Sequence, residues 1–329
     1  MFHNYRYFIV LAEECNINRA SERLFITHQN LSHYLVTLEK EMGVTLFNRK
    51  PTLSLTYAGR VMLDAFRAVE MQENNLRSQL KDLREENVGE LRLGTTEGRF
   101  RILMPNLISA CKEKFPGVEL KLCSANSAEL RNMIANNQLD IMVAANAINI
   151  SKYFESKVVL EETLYLVVSD KMLEDIFGPN YEEKKAELYQ GADLRLFKSL
   201  PFAINLPQMN STRMINELLN KLDISLNVIH SSSHPDLHHV MTCRNFAASF
   251  SLTMYLPGLF HLRDVNGKKL NVFPIKGLTE TNPVSLVQAR NRIFPAYVME
   301  IRKVLKEQCA AYIEYDKHIK NMYDDDFTV

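Results

Sequence analysis

The chain has 329 residues, 46% of them hydrophobic and 24% charged, and its 39 Lys and Arg are balanced by 39 Asp and Glu. That length and balance predict ordinary globular protein in two or three domains. Zero net charge excludes blanket, sequence-blind attachment to nucleic acid or anionic membrane, and no run approaches the roughly 18–20 apolar residues of a membrane span.

Tyr5, Phe8 and Ala12 mark one face of a first helix. Asn18 is the expected cap of a second, with Ala20, Ser21 and Leu24 turned inward. After the apolar connection Phe25-Ile26, Thr27 caps a third helix with the buried stripe Leu31, Leu35, Leu38 and Met42, and Gly43 supplies its left-handed stop. The start of this third helix is unusual. It runs Thr27-His28-Gln29-Asn30, then Ser32 and His33, and no charged residue occurs from 24 to 38. Capping explains Thr27 alone. Two short helices joined by about three residues form a helix-turn-helix, whose second helix enters the DNA major groove. Base edges are read by side chains that both donate and accept: Gln and Asn suit adenine, Ser and Thr either partner, His a guanine or a phosphate. His28, Gln29, Ser32, His33 and Val36 share the face opposite the leucine stripe, and Thr27 and Asn30 flank it. Beyond Gly43, Leu53 and Leu55 alternate with polar residues across a Lys-Pro turn, which predicts a two-stranded wing with Arg49 and Lys50 near the phosphates.

These sixty residues closely resemble the winged helix-turn-helix of the LysR-type transcriptional regulators. The resemblance is carried by Phe8, Ala12, Glu13, Arg19, Ala20, Leu24, Leu31, Ser32, Leu38, Glu39, Gly43, Leu46, Phe47, Arg49, Leu55, Thr56, Ala58 and Gly59. So long a gapped match is specific. In that family the recognition helix usually opens Ser-Gln-Pro, whereas this chain has Thr27-His28-Gln29, so its base preference is its own.

From Thr56, a cap, to about Arg84 the only Gly is Gly59 and there is no Pro. Met62, Phe66, Val69, Glu73, Leu76, Leu80 and Leu83 step by fours and threes, a heptad seam that predicts pairing with a second copy, with Glu73 fixing register. The alternative is one amphipathic helix packed on its own domain. Residues 91–94, 118–122 and 139–143 then read as strands, with helices through Met104 and Leu107 and from a cap at Ser127. The same grammar returns at 164–168, 202–206, 227–230, 246–252 and 284–288, followed by a helix over 296–306. Such alternation predicts α/β units around a mainly parallel sheet.

These stretches also resemble the LysR-type effector domain, a periplasmic-binding-protein-like pair of α/β lobes crossed twice by the chain. The resulting expectation is a winged helix-turn-helix over 1–58, a linker and dimerisation helix over 59–89 and an effector domain over 90–306. Lobe one takes 90–163 and 269–306, lobe two 164–268, and 307–329 is a tail of amphipathic helix and acidic end. Two stretches depart from the family pattern. Residues 174–197 look long, and Cys243-Arg244-Asn245 stands where Gly-Leu-Gly is common, although Asn tolerates the left-handed turn. The resemblance implies a double-stranded DNA operator, a small-molecule effector, a homodimer through the linker helix and a homotetramer through paired effector domains.

Ligands of such lobes bind at the carboxyl ends of the strands. Those ends carry Thr95, Thr96, Ser124 and Ser127 in lobe one and Asn205, Gln208, Ser232 and Ser233 in lobe two. Helix N-termini opening beside them favour a small anionic, otherwise polar metabolite. Capping alone is an equal explanation for Ser127 and Ser233, and an amine-bearing ligand is the alternative if Glu97 points inward. No cofactor or metal is expected. His234 and His238 have helical ligand spacing, but Pro235 suits the first helical position and makes His234 a cap. The stretch Gly94 to Gly98 lacks GxGxxG spacing and a Walker lysine, GxSxG is absent, and no enzyme is expected. Five widely spaced Cys without a CxxC pair, and no secretory leader, point to reduced thiols in a cytoplasm. Cys243, beside Arg244, is the one thiol weighed for redox sensing and reads better as a buried small hydrophobe. A metabolite-binding or catalytic protein with an accessory helical domain would explain only the second half of the chain.

Overall fold

The computed structural model describes residues 4–50, 52–84, 89–147, 153–266, 270–290, 292 and 294–321. Pro51, the Leu83 side chain and the acidic end at 324–326 lie outside them. The chain divides into two compact units, residues 1–89 and 90–329.

The first unit holds α1 (Tyr5–Glu14), α2 (Ile17–Leu24), α3 (His28–Met42), β1 (Phe47–Asn48), β2 (Ser54–Leu55) and α4 (Tyr57–Arg84). The predicted stripe Leu31, Leu35 and Leu38 is buried, and Phe8 sits edge-on to both Phe47 and Phe66 at 5.3 and 5.5 Å between ring centres. Ala20 and Ser21 are buried where α2 crosses its neighbours. Thr27 accepts from the Asn30 amide, and Gly43 takes φ 68° as the left-handed stop. The cap of α2 is a correction. It is Asn16, whose side chain accepts from the amides of Asn18 and Arg19 at 2.9 and 3.2 Å, because Cys15 already leaves α1 at φ 45°.

The wing pairs Phe47 with Leu55 antiparallel, and Thr56 caps α4 through the Gly59 amide. A Cβ on Gly59 would meet the Leu46 carbonyl oxygen at 2.1 Å, so only glycine permits this approach. The seam of α4 differs from expectation. Phe66 is fully buried in the unit's own core, and Met62 and Val69 pack against it. Glu73 accepts from the Tyr5 hydroxyl and pairs with Arg77. This half of the helix is taken by α1, and only Leu76 and Leu80 stand exposed in the described part of the seam.

The second unit begins with β3 (Gly89–Thr95), α5 (Glu97–Lys114), β4 (Val118–Ser124), α6 (Ser127–Ala135), β5 (Ile141–Ala145) and β6 (Phe154–Glu162). It continues through β7 (Leu164–Ser169), α7 (Asp170–Phe177), α8 (Tyr181–Tyr189), β8 (Pro201–Asn205) and α9 (Asn210–Leu222). Next come β9 (Asn227–Ser232), α10 (Pro235–Cys243), β10 (Ala248–Leu252) and α11 (Leu256–Asn266), then β11 (Leu270–Pro274), β12 (Asn282–Ala289) and α12 (Ala296–Asn321). One sheet has the order β4-β3-β5-β12-β6, the other β11-β7-β10-β8-β9.

Both sheets are mixed rather than mainly parallel. β3–β5, β8–β9 and β8–β10 are parallel, while β12 runs antiparallel to β5 and β6, and β7 antiparallel to β10 and β11. The antiparallel members are the strands that enter or leave a lobe at the two crossings. The second crossing falls later than expected. Leu270 pairs with Ser169, so β11 still belongs to lobe two, and the chain re-enters lobe one between Pro274 and Asn282. The long 174–197 stretch holds the end of α7, all of α8 and a single 3-10 turn at Leu194–Leu196, with Leu188, Leu194 and Phe197 in the lobe-two core. Asn245 takes φ 62°, the conformation expected where a glycine is common. Cys243 is buried.

Candidate nucleic-acid interface and inter-lobe site

In the first unit, burial of Leu31 and Leu35 leaves the other side of α3 open. His28, Gln29, Asn30 and His33 are exposed, Val36 is 48% exposed, and Ser32 is half-buried. A groove of about 440 Å3 joins His28 and Ser32 to Arg49 and Thr52 of the wing and to Asn16 and Asn18 at the start of α2. The structure therefore brings three of the candidate contacts, His28, Ser32 and Arg49, onto one concavity. Thr27, Gln29, Asn30, His33, Val36 and Lys50 are not among the residues that line it. Asn16, Asn18 and Thr52 were missed as groove residues. Their signal was faint, because a helix cap and a wing tip are polar in any protein. Arg49 donates to Glu39 at 3.3 Å.

In the second unit, the first turn of α5 faces that of α10. Arg101 pairs with Asp236 at 2.9 Å, His234 lies 3.4 Å from Glu97, and a Cβ on Gly98 would overlap the Tyr255 hydroxyl at 2.0 Å. Burial pushes that hydroxyl up to about 12. Thr96 holds the N-cap position of α5, and its hydroxyl accepts from Arg99 Nη1 at 3.2 Å rather than from a backbone amide. Thr95 is fully buried and donates to the Val143 carbonyl at 2.6 Å.

Ser124 is exposed. The expected cap at Ser127 is Asn126 instead, which forms a reciprocal capping box with Glu129 and leaves Ser127 as the first helical residue. Asn205 is buried, donates to Ser211 at 2.7 Å and lines a cavity of only about 10 Å3, while Gln208 is exposed. Ser232 contacts His238 Nε2 at 2.9 Å and Ser233 contacts His234 Nδ1 at 3.0 Å. His234 caps α10 with Pro235 in its first turn, as expected.

The residues that sequence reasoning missed lie where the chain crosses between lobes. Glu162 ends β6, Asn282 begins β12, and the two are register partners. Arg99 donates to Glu162, Asn282 donates to the same Glu162 oxygen at 2.6 Å, and Asn210 of α9 donates to Asn282 at 2.5 Å. Arg99 is 6% exposed and Glu162 0%. Burial opposes the Arg99 charge, and the Glu162 carboxylate more than offsets it, so the guanidinium is held charged. The only signal available was the three-residue step from Thr96 to Arg99, which places both at one end of α5.

Comparison with known proteins agrees with this architecture. Residues 2–60 match the family model described as the bacterial regulatory helix-turn-helix protein of the lysR family, and residues 84–310 match the LysR substrate binding domain. A probable RuBisCO transcriptional regulator of Thalassiosira pseudonana is 26% identical over 68% of this chain and 69% of its own length. The transcriptional regulator BsdA of Bacillus subtilis is 30% identical over 50% of this chain and 57% of its own, and CysB of Burkholderia cenocepacia 28% over 41% and 44%. The chain thus spans about half the length of these last two relatives. Full-length OxyR from Pseudomonas aeruginosa shares the fold, with a TM-score of 0.60 over 94% of both chains at 18% identity. CbnR in complex with its target DNA shares it at 0.51 over 94% of this chain and 99% of that one, with 16% identity. These relatives are transcriptional regulators rather than enzymes, and among the described residues no helix is long and apolar enough to cross a membrane. The chain belongs to the LysR family of transcriptional regulators, with an N-terminal helix-turn-helix joined to a LysR substrate-binding domain.

Proposed function

We propose that this regulator reads a specific operator through the first turns of α3 and is switched by a small anionic metabolite held between its lobes. The observation that carries the first part is the donor-and-acceptor surface of exposed His28, Gln29 and His33 with half-buried Ser32, free of Asp, Glu, Lys and Arg, on a helix whose leucines are buried. Thr27, Asn30 and Val36 flank that surface, and Arg49 and Lys50 serve the phosphates. A duplex selected by the protein from a random pool supplies the probe. Replacing Gln29 or Ser32 by Ala costs about 1–3 kcal/mol on that duplex and little on a scrambled one. Arg49→Ala weakens both and lowers the salt slope by about one. Gln29 and Ser32 variants that bind both duplexes like the parent would sink the base-reading assignment.

The effector reading rests on Thr96, which sits at a helix N-terminus with a guanidinium donating to its hydroxyl. Such a corner suits a carboxylate. Ser124, Ser127, Gln208, Ser232 and Ser233 would supply further polar contacts from the rims of both lobes, with Thr95 and Asn205 behind them. A ligand held by both lobes favours one lobe angle and so alters the geometry of paired DNA-reading heads. Calorimetric titration of a carboxylate panel, repeated with Thr96→Val, tests this; equal affinity in the variant would place the effector elsewhere. Two copies pair along α4 through Leu76 and Leu80, and effector domains pair separately to make a tetramer.

A further inference from the structure

Glu39 lies in the last turn of α3, on the recognition helix but away from its base-reading end, and its side chain is only 14% exposed. Its Oε1 accepts from the backbone amides of Leu46 at 2.7 Å and Phe47 at 3.2 Å, the residues that open the wing. Its Oε2 accepts from Arg49 Nη2 at 3.3 Å. One carboxylate therefore ties recognition helix, wing root and wing arginine together. Leu46 and Phe47 are fully buried, so the two amides hold the carboxylate firmly. Arg49 remains 61% exposed and lines the groove that contains His28 and Ser32.

Two physical effects compete at Glu39. A carboxylate beside a phosphate-binding arginine repels DNA, so neutralising it should tighten binding to any duplex. Against this, an arginine free to explore its rotamers loses side-chain entropy when it is ordered. An arginine hydrogen-bonded to a carboxylate that two backbone amides already hold has lost part of that freedom beforehand. The three converging donors favour the second effect.

We propose that Glu39 is a positioning residue for DNA recognition: it fixes the Arg49 guanidinium across the groove from the first turns of α3, so that wing and recognition helix engage the duplex in one register. The proposal rests on the reading of Arg49 as a phosphate contact.

The experiment titrates the selected and scrambled duplexes with the full chain as parent, Glu39→Gln, Glu39→Asp, Arg49→Ala and the Glu39→Gln/Arg49→Ala double variant, over a series of salt concentrations. Glu39→Gln keeps an oxygen acceptor for the wing amides, and a thermal melt verifies its fold. Glu39→Asp keeps the charge but is too short to reach both partners. Contacting residues couple, so each single Glu39 variant should weaken the selected duplex by about fivefold and have no further effect once Arg49 is Ala. Tighter or unchanged binding by Glu39→Gln would overturn the proposal and make Glu39 an opposing charge. Equal losses with and without Arg49 would also overturn it, leaving Glu39 a brace of the wing alone. Should Arg49→Ala bind like the parent, the phosphate reading fails and the proposal fails with it. That outcome is distinguishable because the Arg49 variant is measured by itself.

Discussion

Arg99 and Glu162 show what single side chains do at the crossing between lobes. A buried ion pair is stable only while both members are present, since either one alone is an unpaired charge in a poor solvent. Glu162→Gln should therefore lower unfolding stability by about 3–5 kcal/mol, whereas Arg99→Met combined with Glu162→Leu should recover much of the loss, as urea titrations would show. Single variants that melt like the parent would remove the pair from the stability of this unit. The histidines of α10 act in the opposite direction. Burial pushes both His238 and His239 down to about 4 from an ordinary 6.5, so both are neutral in the folded chain. Their contribution is complete above about pH 6.5 and is lost as pH falls toward 4, because the unfolded chain binds those protons first. His239→Asn should flatten the fall in thermal midpoint between neutral and mildly acid pH; an unchanged slope would clear His239 of the effect. Local chemistry made some residues legible in the sequence, such as Thr27, Gly43, Thr56 and the Pro235 behind His234. Arg99 and Glu162 were not, because a charge looks solvated until its partner, 63 residues away, is known.

Elements were legible where their periodicity was strong. The leucine stripe of α3 and the apolar runs of β5 and β7 are buried as their patterns require. β6 and β11 escaped notice for physical reasons. β6 runs FESKVVLEE at a sheet edge with most of its side chains in solvent, and β11 is only five residues long. Missing β11 is what misplaced the second crossing. The helix predicted to end at 306 continues to Asn321. Tyr297, Val298, Ile301 and Leu305 lie in the core of lobe one. Further along, Tyr315 stacks on Phe260, Asp316 accepts from Tyr165 and Thr253, and Ile319 is buried with Leu256 and Val272 of lobe two. α12 is thus one continuous helix that packs on residues of both lobes. Burial and the Asp316 carboxylate both push the Tyr165 hydroxyl well above the ordinary tyrosine range, so it stays protonated and donating. Asp316→Ala removes the carboxylate that accepts from this buried hydroxyl and should cost about 1–3 kcal/mol in urea unfolding. If Tyr165→Phe in the same chain restores nothing, the hydrogen bond is not what ties α12 to lobe two.

At the scale of the whole molecule, zero net charge leaves assembly to local surfaces, and α4 carries the clearest one. Its first half is committed to the DNA-reading unit through Phe66, through Arg6 paired with Glu70 at 3.6 Å and through Tyr5 bonded to Glu73. Past Glu73, among the described side chains, Leu76 and Leu80, one turn apart, are 55% and 57% exposed. Extending a helix into solvent gains only one hydrogen bond per residue ordered, so such an end adds little stability by itself. On the proposed pairing, a second α4 would bury both leucines. The division of labour along the helix makes the test selective. Leu76→Lys with Leu80→Lys places like charges on the proposed seam and touches nothing in the core around Phe8 and Phe66. Sedimentation at tens of micromolar should then show the assembly one step smaller than the parent, with the melting of a fragment covering residues 1–74 as the reference for an intact DNA-reading unit. Affinity for the selected duplex should fall with the mass, since each head would hold its half-site alone. A doubly substituted chain that keeps the parent's mass and affinity would show that the exposed half of α4 is not where two copies meet.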